Sequence, residues 1–598
     1  MSSRVLDFEK YTAKARQAVA EGQVLLLNQN HVLPLPKGSH VAVFGRMQLH
    51  YYKSGTGSGG MVNVNKVTGI LEALEESEDV QVYESLVGVY REWEKDHPFD
   101  EGVGWGNEPW SQEEMELNEA LVEEAAEKNE YAIVILARTA GEDKDNKMLE
   151  GAYCLTSIEE DMLQKVRKSF AKMIVLLNTG NIMDMSFMDQ YRPDAVMYVW
   201  QGGMIGGLGT VDVLTGKVCP SGRLSDTIAA QMSDYPADPY FGGLEQNLYV
   251  EDIYVGYRYF ESAAKSKVLY PFGFGLSYTT FSMEADGFSY AENQVSFVMK
   301  VTNTGSVAGK EVVQVYAKAP LGKLGKPARV LIDFKKTKEL MPGECETLTF
   351  AIPTSVFASY NEVSTAGMPV GWVLEAGEYT IYAGGNVRDA YAVGSFTLDE
   401  LQIVEECRSA LAPTTAFKRM KMTAANEHAE AAGVYEVAME EVPLRVVSPE
   451  EKRNAELPES CEITGDRGIK LADVKVGKAT LDEFVAQLTE EELASIVRGE
   501  GMGSPKVTAG TAAAFGGVTK SLLEKGIPCG CCDDGPSGMR LDSGMKAFSL
   551  PNGTLLACTF NTQLNEELYA FTAVEMIKNR VDILLGPGMN IHRHPLNG

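Results

Sequence analysis

Short apolar runs at 41–45, 80–83, 131–137, 173–177 and 195–200 punctuate the first part of the chain, and stretches with helical spacing, notably 112–129 and 157–172, separate most of them. An amphipathic stretch over 11–28 precedes the first run. Strands buried on both faces read as continuous apolar runs, and intervening helices return the chain for parallel pairing. This alternation predicts a mostly parallel sheet covered by helices, and together with a Gly-, Pro- and Tyr-rich transition over 220–278 it defines an α/β sandwich over 1–280.

The pattern then changes. From 281 to 400, short runs alternate apolar and polar residues, as in Val295-Ser-Phe-Val-Met-Lys-Val301 and Glu311-Val-Val-Gln-Val-Tyr-Ala317, with turns at Asn303-Thr-Gly305 and Pro342-Gly343. Such spacing predicts an all-β sandwich. Residues 401–475 are charged and weakly periodic, which reads as a linker with some helix. A βα alternation resumes over 476–598, with helices expected at 481–498 and 562–579 and strands at 527–532 and 581–585. That last stretch is roughly half of what a (β/α)8 barrel requires, so the fold class expected is a multidomain α/β protein ending in the first part of a barrel. A fold stopping there would keep open sheet edges, so the expectation is a fragment, or a chain completed by a second polypeptide.

Charge and cysteine usage narrow the partners. The chain has 598 residues with 54 basic against 83 acidic side chains, a net of −29, which argues against nucleic acid and anionic membrane surfaces. The N-terminus lacks an apolar targeting core, and no stretch approaches the roughly 18 apolar residues of a membrane span, so a cytoplasmic protein is expected. Nine irregularly spaced cysteines fit reduced thiols, and the cluster Cys529-Gly-Cys531-Cys532 has no second pair or histidine nearby to complete a metal site. His592 and His594 stand two apart before Pro595, a spacing that suits a loop. Gly55-Thr-Gly57-Ser-Gly-Gly60 satisfies the dinucleotide pattern G-x-G-x-x-G formally, yet it neither begins at the end of strand 41–45 nor opens a helix, so it reads as a close-approach loop.

The chemistry concentrates on two acidic loops. Gly141-Glu-Asp-Lys-Asp-Asn146 follows the run 131–137, and Asp533-Asp534-Gly-Pro-Ser-Gly538 follows 527–532. Strand-end loops are where α/β proteins place ligands and catalytic groups, and two of them in different segments suggest a site between them. Exposed acids in solvated loops and turn caps are the plain alternative for Glu142 and Asp534, as a surface cation is for Arg540.

These pieces, with Val199-Trp-Gln-Gly-Gly203, Pro220-Ser-Gly-Arg-Leu224, Glu251-Asp-Ile-Tyr-Val-Gly-Tyr-Arg-Tyr259, Phe272-Gly-Phe-Gly-Leu-Ser-Tyr-Thr279 and Met589-Asn-Ile-His-Arg593, occur in a consistent order, and the chain resembles glycoside hydrolase family 3 β-glucosidases over nearly its whole length. The resemblance implies an α/β sandwich and a fibronectin type III-like domain placed ahead of the barrel, the reverse of the commonest family order. It implies retaining hydrolysis of terminal non-reducing β-D-glucosyl residues from short oligosaccharides or aryl glucosides, with no metal or organic cofactor. Glu142 matches the acid/base; Asp534 and Arg540 match residues that bind the sugar; Asp145-Asn146 departs from the family's usual Asp-Arg. The nucleophile motif Ser-Asp-Trp does not occur in the chain, and the nearest match, Ser233-Asp-Tyr235, lies outside the barrel segment, so the nucleophilic aspartate is expected outside these residues. A β-xylosidase or natural-product glycosidase of the same family, and a catalytically incompetent carbohydrate-binding fragment, stay open as alternatives.

Overall fold

Strands β1 (Val24–Asn28), β2 (Ser39–Phe44), β3 (Val80–Val82), β4 (Tyr131–Arg138), β5 (Lys172–Thr179) and β6 (Ala195–Tyr198) form one sheet in the order β1-β6-β5-β4-β2-β3. The protein is described here by a computed structural model covering residues 5–365, 367–409 and 411–598. Every residue of β4 is buried, and the strand pairs in parallel with β2 and β5, with Tyr131 opposite Val41 on one side and Lys172 on the other. Side chains alternate between two cores. Ala132, Val134 and Leu136 meet Leu163 and Val166 of the helix Ser157–Ser169, while Ile133 and Ile135 meet Ile70, Leu71 and Leu74 of Ile70–Glu75 on the other face. Parallel pairing brings the C-terminal ends of β2, β4 and β5 to one rim, from which the site loops leave.

Three expected helices end differently. The stretch 11–28 divides into helix α1 (Phe8–Gly22), capped by Asp7, and β1, which pairs antiparallel with β6. Val24, Leu25 and Leu26 are buried, and the open edge of β6 offers their backbone groups partners that a continued helix would leave without a match. Over 112–129 only Glu119–Lys128 is helical, starting where the Asn118 side chain accepts the N–H of Leu121 at 2.8 Å. The stretch 481–498 breaks into Leu481–Ala486 and Glu490–Arg498, because Thr489 and Glu492 form a fresh capping box.

The second unit is an antiparallel sandwich. One sheet holds Cys345–Pro353, Gln294–Asn303 and Phe281–Ala291; the other holds Val330–Lys336, Val312–Lys318, Gly377–Gly384 and Tyr391–Leu398. Its core contains Val295, Phe297, Met299 and Val301 from one sheet and Val313, Val315, Tyr379 and Ile381 from the other, so the alternation read in the sequence does point inward.

Residues 401–475, expected as a linker, carry an anchored β-hairpin. Lys418–Thr423 pairs with Glu436–Glu441, Met420 N–H donates to Val250 O at 2.7 Å, and Met422 N–H donates to the Tyr254 hydroxyl at 3.0 Å. Met422 and Tyr435 pack with Tyr254 and Ala328, while Arg419 is flanked by Asp252, Glu362 and Glu440. The charges that hid the strand pattern are the hairpin's ionic contacts to its neighbours. In the last segment, Ala513–Gly516 lies antiparallel to Cys529–Asp534, which is parallel to Ile583–Leu585 after the helices Gly553–Cys558 and Thr562–Asn579. No helix among the described residues is long and apolar enough to cross a membrane.

One buried carboxylate ties these units together. Glu21, near the end of α1, accepts from Lys310 Nζ at 2.5 Å, from Asn561 Nδ2 at 2.9 Å and from Gln17 Nε2 at 2.8 Å, and pairs with Lys336 Nζ at 3.2 Å. Lys336 also donates to the carbonyls of Ser221 and Thr559. Burial alone would raise the Glu21 carboxyl, but the charges of Lys336 and Lys310 outweigh it and hold the group at about 2; burial brings Lys336 down to about 8, still cationic at neutral pH. Because the folded value lies below the ordinary 4.5, this contribution to stability is complete above 4.5 and is lost as pH falls toward about 2. Glu21→Gln preserves the shape but strands the buried Lys336 ammonium and removes the partner of the half-buried Lys310, and should cost about 3 kcal/mol in denaturant unfolding at neutral pH. A loss below about 0.5 kcal/mol would show that the node does not hold the units together.

Candidate active site

Arg138 at the end of β4 sets the first site loop. Its guanidinium makes a buried bidentate pair with Glu159 at 2.7 and 2.6 Å and donates to the carbonyls of Ala152 and Cys154, which closes the loop 139–156 back onto the sheet. The outward turn of that loop rests on the glycine-rich loop after β2. Thr56 N–H donates to Ala140 O at 3.2 Å, and a Cβ on Gly141 would stand 2.4 Å from Thr56 O, so only glycine permits the approach.

Glu142 projects from this turn. Its Oε2 accepts the backbone N–H of Ser58 at 2.9 Å and the Ser58 hydroxyl at 2.5 Å. The hydroxyl, then the N–H, and more weakly the nearby Arg540 charge hold this carboxyl below the ordinary glutamate range. The opposite flank of the glycine loop touches the second acidic turn, since a Cβ on Gly59 would lie 3.3 Å from Pro536. The loop read in the sequence as a close-approach loop is therefore wedged between the two acidic turns.

Asp534 ends the strand Cys529–Asp534, and the Arg540 N–H donates to its carbonyl at 2.9 Å, closing the turn. The Arg540 guanidinium is buried, bidentate on Asp542 at 2.8 and 2.9 Å, 3.9 Å from Asp534 Oδ2, and 4.5 Å from the centre of the Trp105 ring. Burial raises the Asp534 carboxyl, Arg540 opposes this, and the Glu142 charge adds to the rise. Glu142, Asp534 and Arg540, expected from the sequence as one site, thus share one electrostatic environment. Asp533 is fully buried on the strand's other face, its oxygens have no hydrogen-bond partner among the described residues, and burial pushes its carboxyl to about 7.

Two contributors escaped sequence reading. Ser58 carries no pattern beyond its glycine neighbours, and Trp105 sits in an irregular loop among Gly102, Gly104 and Gly106, all at positive φ. Gly57 also stands at positive φ, +80°, and its missing Cβ would lie 2.5 Å from Glu142 Cβ, so the backbone there is bent toward the glutamate. The Asp145-Asn146 pair, noted as a departure, anchors the final loop: Asn146 N–H donates to Leu596 O at 2.7 Å, and Asp145 Oδ1 accepts Gly598 N–H at 3.0 Å. That loop is fixed further by His592 on Asp226 at 2.8 Å, Arg593 on Glu251, and His594 on Asp238 at 3.2 Å. Ser233-Asp234-Tyr235 lies elsewhere, with Asp234 paired to Lys267 at 3.1 Å. Cys531 is buried against the Thr511 hydroxyl, and no group of three or more His, Cys, Asp or Glu among the described residues is placed to hold a metal ion.

Known proteins resemble the chain both domain by domain and along its whole length. Residues 23–278 match the family model described as the glycosyl hydrolase family 3 C-terminal domain, and residues 311–387 match the fibronectin type III-like domain. The chain is 55% identical over 593 residues to the beta-glucosidase of Ruminococcus albus, an alignment covering 99% of this chain and 61% of that protein. It is 35% identical over 655 residues to beta-glucosidase A of Butyrivibrio fibrisolvens, covering 100% of this chain and 77% of that protein. The crystal structure of a beta-glucosidase from Paenibacillus barengoltzii superposes with a TM-score of 0.95 at 50% identity, over 99% of this chain and 65% of that one. The chain therefore spans about three fifths of the length of the Ruminococcus albus relative.

Asp145→Ala should loosen the final loop without touching Glu142. The loss of one hydrogen bond, about 1 kcal/mol, should speed amide exchange over 586–598 about fivefold while leaving β4 and β5 unchanged. Unaltered exchange there would mean that the Asp145 bond adds nothing to the loop's other contacts, the Asn146 bond to Leu596 among them.

Proposed function

This chain belongs to glycosyl hydrolase family 3, and from that premise we propose that it serves retaining hydrolysis of terminal non-reducing β-D-glucosyl residues, in short oligosaccharides or aryl β-glucosides. The observation that carries the reading is the convergence of Glu142 with Asp534 and Arg540 from distant segments around one glycine loop. Glu142 is the acid/base: it protonates the departing glycosidic oxygen as a carboxylate nucleophile attacks the anomeric carbon, then removes a proton from the water that releases the sugar. Asp534 accepts hydrogen bonds from sugar hydroxyls, and Arg540 donates to the same sugar. Two carboxylates complete the chemistry, so neither metal nor organic cofactor is invoked.

The second carboxylate must lie about 5–5.5 Å from the acid/base for retention. Asp234 is tied to Lys267 in another region, so we assign the nucleophile outside residues 1–598. Relatives that align this whole chain within one longer polypeptide give no support to the separate second polypeptide expected from the sequence. We further read the parallel step from Cys529–Asp534 through two helices to Ile583–Leu585 as the beginning of a (β/α)8 barrel that follows the α/β sandwich and the fibronectin-like unit, an order reversed from the commonest one.

In the active enzyme, Glu142→Gln should cripple hydrolysis of glucosides with poor leaving groups while sparing activated aryl glucosides, whose phenols need little protonation. Equal losses on both would contradict the acid/base role. Asp534→Asn should lower kcat/KM by a factor on the order of 100, because its bonds to hydroxyls tighten as the ring flattens; a fully active variant would remove it from the site.

A further inference from the structure

The glycine loop between the two acidic turns is held more tightly than a close-approach role requires. Lys53 Nζ and the Ser54 hydroxyl both donate to Gly60 O at 2.8 Å, and Gly60 N–H donates back to Gly57 O at 3.1 Å. A Cβ on Gly60 would stand 1.6 Å from Gly55 O, so the loop folds onto itself where only glycine fits. Lys53 is itself half-buried, and burial lowers its ammonium to about 8, so at neutral pH it remains mainly a charged donor. The outcome of this bracing is that the Ser58 N–H and hydroxyl both face one oxygen of Glu142.

We propose that Ser58 is the positioning residue of the acid/base: a braced loop presents its two donors to Glu142 Oε2 and fixes the carboxylate's direction. This rests on the reading of Glu142 as acid/base. The other charged groups facing Glu142 are Arg540, which favours its ionised form, and Asp534, which disfavours it; the charges of Lys53 and Lys144 act on Glu108. With the hydroxyl as the largest cause of the lowered Glu142 carboxyl, the loop biases the resting site toward the step in which Glu142 takes a proton from water. The protonation needed for the first step must then come with substrate, whose burial of the carboxyl and displacement of the serine hydroxyl both act in the opposite direction.

Ser58→Ala removes one donor and Gly57→Ala displaces the loop without removing it, since the new Cβ would meet Glu142 Cβ. In both variants the basic limb of the pH profile of kcat/KM should move to higher pH, as should the Glu142 carboxyl titration followed by NMR of carboxyl-labelled glutamate, assigned by its absence in Glu142→Gln. The optimum kcat/KM should fall about tenfold, the worth of one charge-assisted hydrogen bond. Ser58→Thr, which keeps a hydroxyl, should restore both the limb and the titration. A uniform loss across pH with the Glu142 titration unmoved would overturn the proposal and leave Ser58 as mere loop structure. Failure of the acid/base reading is seen separately: Glu142→Gln would then behave alike on good and poor leaving groups whatever Ser58 does.

Discussion

A carboxylate removed from water must find charges or donors, and Glu21 finds them in three separate parts of the chain: Gln17 on its own helix, Lys310 and Lys336 in the sandwich, and Asn561 at the start of the long last helix. Separating the units would leave the buried Glu21 and Lys336 without their partners in the interior. The same helix α1 stacks Tyr11 on Phe548 at 4.0 Å and links its hydroxyl to Thr572 at 2.9 Å, so the last segment is seated on the first by apolar and polar contacts together. Main-chain bonds extend the seam toward the site: Met204 N–H donates to Ser549 O and Asn552 N–H to Gln201 O. The site lies at one end of this seam, and its geometry is inherited from it, because Glu142 and Asp534 belong to loops that nothing local would bring together.

Within the site the two carboxyl groups are pushed in opposite directions. Burial raises Asp534, whereas two short-range donors lower Glu142. Dissimilar environments for neighbouring acids are how one fold assigns them different tasks. Arg540 acts on both, and it is oriented by its bonds to Asp542 and its contact with the Trp105 ring, which fixes a cation that would otherwise sample many rotamers.

The sequence was most readable where a signal is local. Strands β2, β4 and β5 announce themselves as apolar runs, the helix Thr562–Asn579 fell where its spacing placed it, and the two acidic loops stood out by their position after strands. It was less readable where tertiary contacts decide. Val24–Asn28 extends because β6 has a free edge, the hairpin at 418–441 disguises its inward Met420 and Met422 among charges that pair only in the folded chain, and Ser58 has meaning only beside a glutamate far along the chain. The break at Thr489 was legible, since Thr489 and Glu492 spell a capping box that the longer helical spacing obscured.

Whether Glu142, Asp534 and Arg540 face one sugar is read from a crystal structure of the protein with D-glucose bound. The account predicts the Asp534 carboxylate and the Arg540 guanidinium within hydrogen-bonding distance of sugar hydroxyls, with Glu142 on the side of the anomeric oxygen. Glucose bound away from the glycine loop, or bound there with Asp534 and Arg540 making no contact to it, would contradict the account.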